Sequence, residues 1–315
     1  MRAAALRSRA RAAVDAPATQ AELAATRDSN AALEKEIARL TTELEEASSL
    51  QVLDFYCPEA PSAQSAVDIF ASEWASAFPP PFEELRAGDA PLFEIGHVPW
   101  GVKALGGVEG QRVVELGPLE GGHTYLLDRL GAGEVVSIEA NTRAYLKCLI
   151  AKEILGIPSA HFQCGDAIAY LEEQVASSTP KFDFCLASGI LYHLKNPIRG
   201  LDLMTRSSDR LLLWTMYYDG DYINSRDELR GKFPTATPMN YQGFEHTLHR
   251  QEYQQALNYK GFCGGSAADS AWLSRADIFR AIEHFGFEVV EVGFEEQNHK
   301  GNGPCICIAA KRAGT

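Results

Sequence analysis

From Gly107 onward, short apolar runs alternate with stretches of helical spacing, and this alternation constrains the fold more than any other feature of the chain. RVVEL (112–116), EVVSIEA (134–140), HFQCGD (161–166), FDFCLASG (182–189) and RLLLWTMY (210–217) read as buried strands. Between them lie helical patterns. GGHTYLLDRL ends at Gly131, and Asn141 can cap a helix in which Leu146, Leu149, Ile150 and Ile154 share a face before Gly156. AIAYLEEQ and IRGLDLMTRSS follow. Such β-α repetition predicts a parallel sheet with helices on both faces. Ser274 and Asp277 open a further helix, and FEVVEVGF (287–294) with CICIAAKR (305–312) predicts an antiparallel pair at the end of the sheet, because the loop around QNHKGNG is too short for a crossover.

The rest of the 315 residues divides by texture. Residues 1–50 form a predicted helical arm. Within residues 19–48, which lack Gly and Pro, Leu23, Asn30, Ile37 and Leu44 fall at heptad position a, and Thr26, Leu33, Leu40 and Ala47 at d. This short coiled-coil seam predicts a homodimer, with facing Asn30 amides fixing register; the alternative is an amphipathic helix folded back on its own domain. Residues 51–108 read as a helical lead-in stopped by Pro79-Pro80-Pro81, and 109–315 as one α/β domain interrupted by a polar, aromatic insert at about 218–270. The basic first fourteen residues lack the apolar centre of a secretory signal. The seven cysteines form no CxxC pair, so neither disulfides nor a metal is expected, and a cytoplasmic location is. No run reaches the length of a membrane span, and a net charge of −13 disfavours nucleic acid.

Glu115-Leu116-Gly117-Pro118-Leu119-Glu120-Gly121-Gly122 follows the first strand, where open α/β sheets hold nucleotide-like ligands. A dinucleotide would need glycine where Leu119 stands, and a carboxylate beside it would repel pyrophosphate. S-adenosylmethionine carries a sulfonium instead of phosphates and suits acidic strand ends. Glu139, at the tip of the second strand, can accept both ribose hydroxyls, and Asp166, after the third, can accept from the adenine amino group. A dehydrogenase is therefore disfavoured.

The order ELGPLEGG, SIEAN, CGDA and FDFCLASGILYHLKNP resembles the class I S-adenosylmethionine-dependent methyltransferases over about residues 95–315. Ala187 to Leu194 looks most like the branch holding the tRNA wobble-uridine carboxymethyltransferases and related small-molecule or glycan enzymes. The resemblance implies a Rossmann-like seven-stranded sheet with its last strand antiparallel. It also implies that Glu115, Gly117 and Gly121 line the methionine end, with Glu139, Asp166, Ala167 and Ser188 completing the cofactor site. Leu119 departs from the family's glycine, the N-terminal helix has no counterpart there, and the charge argues against carrying over a tRNA substrate.

The implied reaction is methylation of a hydroxyl on a small molecule or glycan, which needs a base. His193 is placed for that role or for shaping the pocket, and Tyr192 for packing or orienting the acceptor. A non-catalytic cofactor-binding scaffold is the alternative from another class, and an RNA-modifying enzyme ranks lower. The insert region contributes Tyr217, Tyr218, Tyr222, His246, His249 and Tyr253. His246 and His249, three apart, could share a helix face, but without a third ligand they read as solvated or pocket-lining rather than metal-binding. Trp100 reads equally as a cover over the cofactor or as core.

Overall fold

The computed structural model describes residues 30–42, 56–177, 179–258 and 261–314. The chain divides into two units, Met1–Pro61 and Ser62–Thr315. In the first, residues 30–42 form helix α1, on which Leu33, Ile37 and Leu40 are exposed. Of the heptad positions, Leu23, Thr26, Leu44 and Ala47 lie outside the described residues. Among the described residues no helix is long and apolar enough to cross a membrane.

The second unit opens with a short helix α2 (Ala63–Val67), an irregular stretch, and α3 (His97–Ala104). It then alternates through β1 (Arg112–Leu116), α4 (Gly122–Arg129), β2 (Glu134–Glu139), α5 (Thr142–Leu155), β3 (Ala160–Cys164), α6 (Ala167–Ala176), β4 (Phe184–Ser188), α7 (Pro197–Ser207) and β5 (Arg210–Met216). Helices α8 (Gly220–Asn224) and α9 (Asp227–Arg230) lead to β6 (Thr235–Tyr241), β7 (Phe244–Glu252) and β8 (Asp269–Trp272). The chain closes with α10 (Arg275–His284), β9 (Phe287–Glu296) and β10 (Cys305–Arg312).

Seven strands form one sheet in the order β3-β2-β1-β4-β5-β10-β9, with β1 to β5 parallel and β10 antiparallel to both of its neighbours. The Rossmann-like sheet predicted from the sequence is therefore present, its last strand inserted antiparallel between β5 and β9. Because successive strand residues face opposite sides, Val114 and Leu116 pack in the core under α6, α7 and α10, while Val113 packs in the core under α3 and α4. The same parity turns Glu115 toward α4.

Helix boundaries follow the sequence signals: the Asn141 side chain accepts from the backbone N–H groups of Arg143 and Ala144, Gly156 ends α5 in the left-handed region, and Ser274 caps α10. The buried face of α5 matches the predicted one in part: Ile150 and Ile154 pack, partly buried, against the core. Ala144, Lys147, Cys148, Ala151 and Leu155 face inward, whereas Leu146 and Leu149 are exposed. The reason lies in Lys147, whose Nζ reaches Glu120 Oε1 at 2.7 Å and the Glu73 carbonyl at 2.6 Å. Glu120 also accepts from the Ala75 and Ser76 backbone N–H groups, at 2.9 and 2.8 Å. This buried pair pins the segment before α3 to the loop after β1, and the small residues of α5 let the helix approach closely enough to deliver the lysine. Glu120 therefore points away from the crevice, and the expectation that its charge would act on a ligand there is corrected.

The insert holds a second sheet, β6-β7-β8, antiparallel throughout. It is tied to the main domain by the Ala271 N–H donating to the Leu194 carbonyl at 2.9 Å. His246 and His249 lie on β7 and not on a helix, so their odd spacing sends them to opposite faces. His246 is buried, while the His249 ring stacks on Tyr218 at 3.6 Å. Replacing Lys147 by Met should cost about 3–5 kcal/mol by leaving Glu120 buried without its cation, measured by denaturant unfolding.

Candidate active site

The strand order reverses between β1 and β4: the chain moves to one side through β2 and β3, then returns to build the other half from β4. Loops leaving the carboxyl ends of these strands diverge, and a crevice opens there. A cavity of about 980 Å³ occupies it, lined by Gly117, Leu119, Glu139, Ser188 and His193 among others. The insert supplies part of the wall through Cys263 to Ala267.

The loop after β1 is shaped by three left-handed residues, Gly117, Leu119 and Gly121, with φ of +70°, +58° and +83°. Leu119 holds a conformation that a Cβ makes costly. Its backbone N–H donates to Glu139 Oε2 at 3.0 Å, and the Asn141 N–H donates to Oε1 at 2.8 Å. Glu139 thus ties the β1 loop to the end of β2. Gly122, the first residue of α4, must be glycine: a Cβ there would lie 2.5 Å from the Leu92 carbonyl oxygen.

Of the predicted cofactor residues, Gly117, Glu139, Asp166, Ala167 and Ser188 line this cavity. Glu115 and Gly121 do not. Glu115 is buried beneath the loop, accepting from Ser137 Oγ at 2.7 Å and from Thr124 Oγ1, while its Oε1 has no hydrogen-bond partner among the described residues and lies 3.7 Å from His123 Nδ1. Burial raises its pKa to about 7. Burial likewise raises the Glu139 carboxyl, against the backbone N–H groups of Asn141, Leu119 and Ala140 that stabilise its charge. Asp166 caps α6 through the Ala169 N–H at 2.8 Å.

His193 ends a short 3-10 turn after β4, Leu191–His193. Its Nδ1 lies 2.9 Å from the Tyr253 hydroxyl, which in turn donates to the Gly264 carbonyl at 3.0 Å. A phenol has one proton to give, so with that proton on Gly264 the Nδ1 must carry its own hydrogen and donate to Tyr253. The other ring nitrogen, Nε2, then keeps a free lone pair. Burial lowers the His193 pKa to about 4, leaving the imidazole neutral at pH 7. Tyr192 packs against His193 at 4.1 Å and edge-on to Trp214 and Trp272, and burial pushes its phenol far upward.

Several wall residues escaped the sequence reading. His97 donates to or accepts from Ser188 Oγ at 2.9 Å and sits edge-on to His123 at 5.3 Å; burial lowers the two imidazoles to about 4 and about 3. Trp214, on β5, also faces the cavity, as does His299; Trp100, which the sequence left between a cover over the cofactor and core, lines it too. A position at the strand-end level was the available signal for Trp214, but nothing local distinguishes His97 or His123 from core histidines.

These buried groups make stability depend on pH. His97, His123, His193 and His249 all have depressed pKa values in the folded domain, so the unfolded chain binds protons there first, and stability falls as pH drops through about 6.5. Glu115 and Glu139 oppose this, because raised carboxyl pKa values lose stability as pH rises above about 4.5. Four imidazoles outweigh two carboxyls. The melting temperature should fall between about pH 7 and about pH 5, and His123→Asn should flatten that slope in calorimetric scans.

No family model matches the chain. A tRNA U34 carboxymethyltransferase of Campylobacter hominis is 25% identical over 117 residues, covering 36% of this chain and 39% of that relative. The N-terminal domain of EvdMO1, crystallised in the presence of SAH and D-fucose, superposes with a TM-score of 0.59 at 22% identity, over 80% of this chain and 95% of that one. The same domain with SAH bound gives 0.57 at 23% identity, with the same coverage. The strand order, the antiparallel last strand and this likeness together establish that the chain has the Rossmann-like fold of the class I S-adenosylmethionine-dependent methyltransferases.

Proposed function

We propose that this protein transfers a methyl group from S-adenosylmethionine to a hydroxyl of a small molecule or glycan. The observation that carries the reading is Glu139. Its oxygens accept from the backbone N–H groups of Leu119 and Asn141 at 3.0 and 2.8 Å, the side chain lines the cavity, and Glu139 makes no ion pair among the described residues. Such a carboxylate suits the vicinal hydroxyls of a ribose and repels a pyrophosphate. The cavity volume lies at the upper end of the roughly 300–1,000 Å³ of small-molecule sites, enough for a nucleoside and an acceptor side by side. The SAH and the sugar in the EvdMO1 domain crystal agree with both halves of that description.

When bound, S-adenosylmethionine supplies an electrophilic methyl carbon on a sulfonium. Glu139 would hold the ribose, Asp166 and Ala167 the adenine edge, and the backbone at Gly117 the amino-acid end. Glu115 acts from below the loop, as an acidic group that supports it rather than as a contact. The acceptor hydroxyl must lose its proton as the new bond forms, and His193 Nε2, with its lone pair fixed by the Tyr253–Gly264 chain, takes it. Tyr253 is a positioning residue. Tyr192 and Trp214 offer aromatic faces against which a sugar or ring can pack. The open cavity beside His193 favours catalysis over a non-catalytic scaffold, and the net charge of −13 favours a small acceptor over RNA.

Pairing of two chains through the seam of α1 belongs to the same proposal. Leu33, Ile37 and Leu40 share the seam positions and are exposed, an arrangement that a second copy would cover. Deleting residues 1–50 should then halve the sedimenting mass, and an unchanged mass would remove the idea.

Calorimetry with S-adenosylhomocysteine should show saturable binding that Glu139→Ala weakens; no heat at millimolar ligand would end the assignment. His193→Ala should lower kcat roughly 100-fold with the cofactor affinity unchanged. Tyr253→Phe, which loses the bond to Gly264 and with it the one from His193 Nδ1, the latter worth about 1 kcal/mol to orienting the imidazole, should lower kcat roughly five-fold. The rate should stay flat through neutral pH and fall only as pH approaches about 4, where His193 becomes protonated.

A further inference from the structure

At the end of β9 and the start of β10, three side chains with metal-binding chemistry converge on the rim of the cavity. Antiparallel register sets Glu296 directly opposite Cys305. The hairpin between them folds back on itself, with the His299 N–H donating to the Gly303 carbonyl at 2.8 Å and the Asn302 N–H to the His299 carbonyl at 3.0 Å. This brings the His299 imidazole to the pair. One donor atom from each of Glu296, His299 and Cys305 lies within 4.8 Å of the other two, and His299 Nδ1 is already 3.1 Å from Glu296 Oε2.

The surroundings hold these groups in place from two sides. Trp214 meets the His299 ring edge-on at 5.2 Å. Cys305 is buried against Met216 and Trp272. Glu296 and His299 both line the cavity, so the open side of the cluster faces the crevice. Three protein donors of mixed type, an oxygen, a nitrogen and a sulfur, with one direction free, are the pattern of a zinc site that keeps a position for water or substrate. A thiolate beside an imidazole selects a zinc-type ion over magnesium or calcium, which prefer all-oxygen sites.

We propose that Glu296, His299 and Cys305 bind one zinc-type divalent cation whose free coordination position faces the cavity and takes an oxygen of the acceptor. Binding exchanges the Cys305 thiol proton, which leaves to solvent, for a sulfur–metal bond, and replaces the His299–Glu296 hydrogen bond by two bonds to the ion. Carboxylate and thiolate together carry two negative charges, so the occupied site is neutral before the acceptor arrives and imposes no added charge on the cavity. The sequence gives little sign of it, because the spacing Glu-x2-His-x5-Cys matches no regular metal motif and depends on strand register to close.

Only the role of the free position rests on the methyl-transfer reading; metal retention is read without turnover, so the two ideas fail separately. The full-length protein is treated with chelator, loaded with zinc, dialysed and analysed for metal, then loaded with cobalt for absorption spectroscopy. About one zinc per chain should remain, and the cobalt form should show a thiolate-to-metal charge-transfer band. His299→Ala and Glu296→Gln should each weaken zinc binding at least about 10-fold, by removing one of three ligands, and Cys305→Ser should abolish the band. Glu296 is exposed, so its variant reports on the metal even where the buried cysteine variant fails to fold. Zinc at background, a cobalt spectrum without the thiolate band, or retention unchanged in Glu296→Gln and His299→Ala would each overturn the proposal.

Discussion

Parallel pairing of β1 with β2 on one side and β4 on the other governs the whole molecule, because it forces the chain to reverse its direction of sheet growth at β1. The loops that leave these strands cannot cover the gap between them, and Glu139, Asp166, Ser188 and His193 line it. Glu139 closes one edge by binding the loop after β1, while the turn after β4 carries His193 to the other. The insert then adds a wall that the sheet alone does not provide. Its Tyr253 reaches back to His193, so the small second sheet sets the orientation of a side chain delivered by the large one.

Three acids around the same loop have three separate tasks, and burial explains the division. Glu120 is fully paired, to Lys147 and two backbone N–H groups, and works as a fastener. Glu115 is buried beneath the loop, and burial favours its protonated form. Glu139 keeps acceptor capacity and faces open space. Proximity in sequence says little about this. What separates the three is strand parity and the distance from α5, both of which are properties of the folded domain.

Much of the fold was legible because the apolar runs at 112–116, 134–140, 182–189 and 210–217 are short, β-branched or leucine-rich, and separated by helices with recognisable caps. Asn141 and Ser274 act as the sequence predicts. The face of α5 was legible only in part: Ile150 and Ile154 pack against the core, but Leu146 and Leu149 look like core until Lys147 is known to have a buried carboxylate to meet. The insert was equally opaque: TPMNYQGFEHTLHR alternates weakly, and its strand β6 is almost entirely exposed, so no apolar period marks it. At the site, Glu139, Asp166, Ser188 and His193 could be named from their places after strands. His97 and His123 could not, because they sit on helices whose approach to the crevice is fixed by tertiary packing. Glu115 could have been placed correctly from its alternation with Val114 and Leu116.

Leu119 has a consequence for how the binding loop behaves. A leucine in the left-handed region carries a backbone penalty of about 1–2 kcal/mol relative to glycine, and the bond from its N–H to Glu139 is what holds it there. The loop is therefore spring-loaded against the carboxylate: a ligand that competes for Glu139 slackens the catch and lets the turn relax, whereas one that leaves the bond intact meets a rigid wall. Stiffness of the turn after β1 and the state of the Glu139 carboxylate are mechanically coupled through a single amide hydrogen.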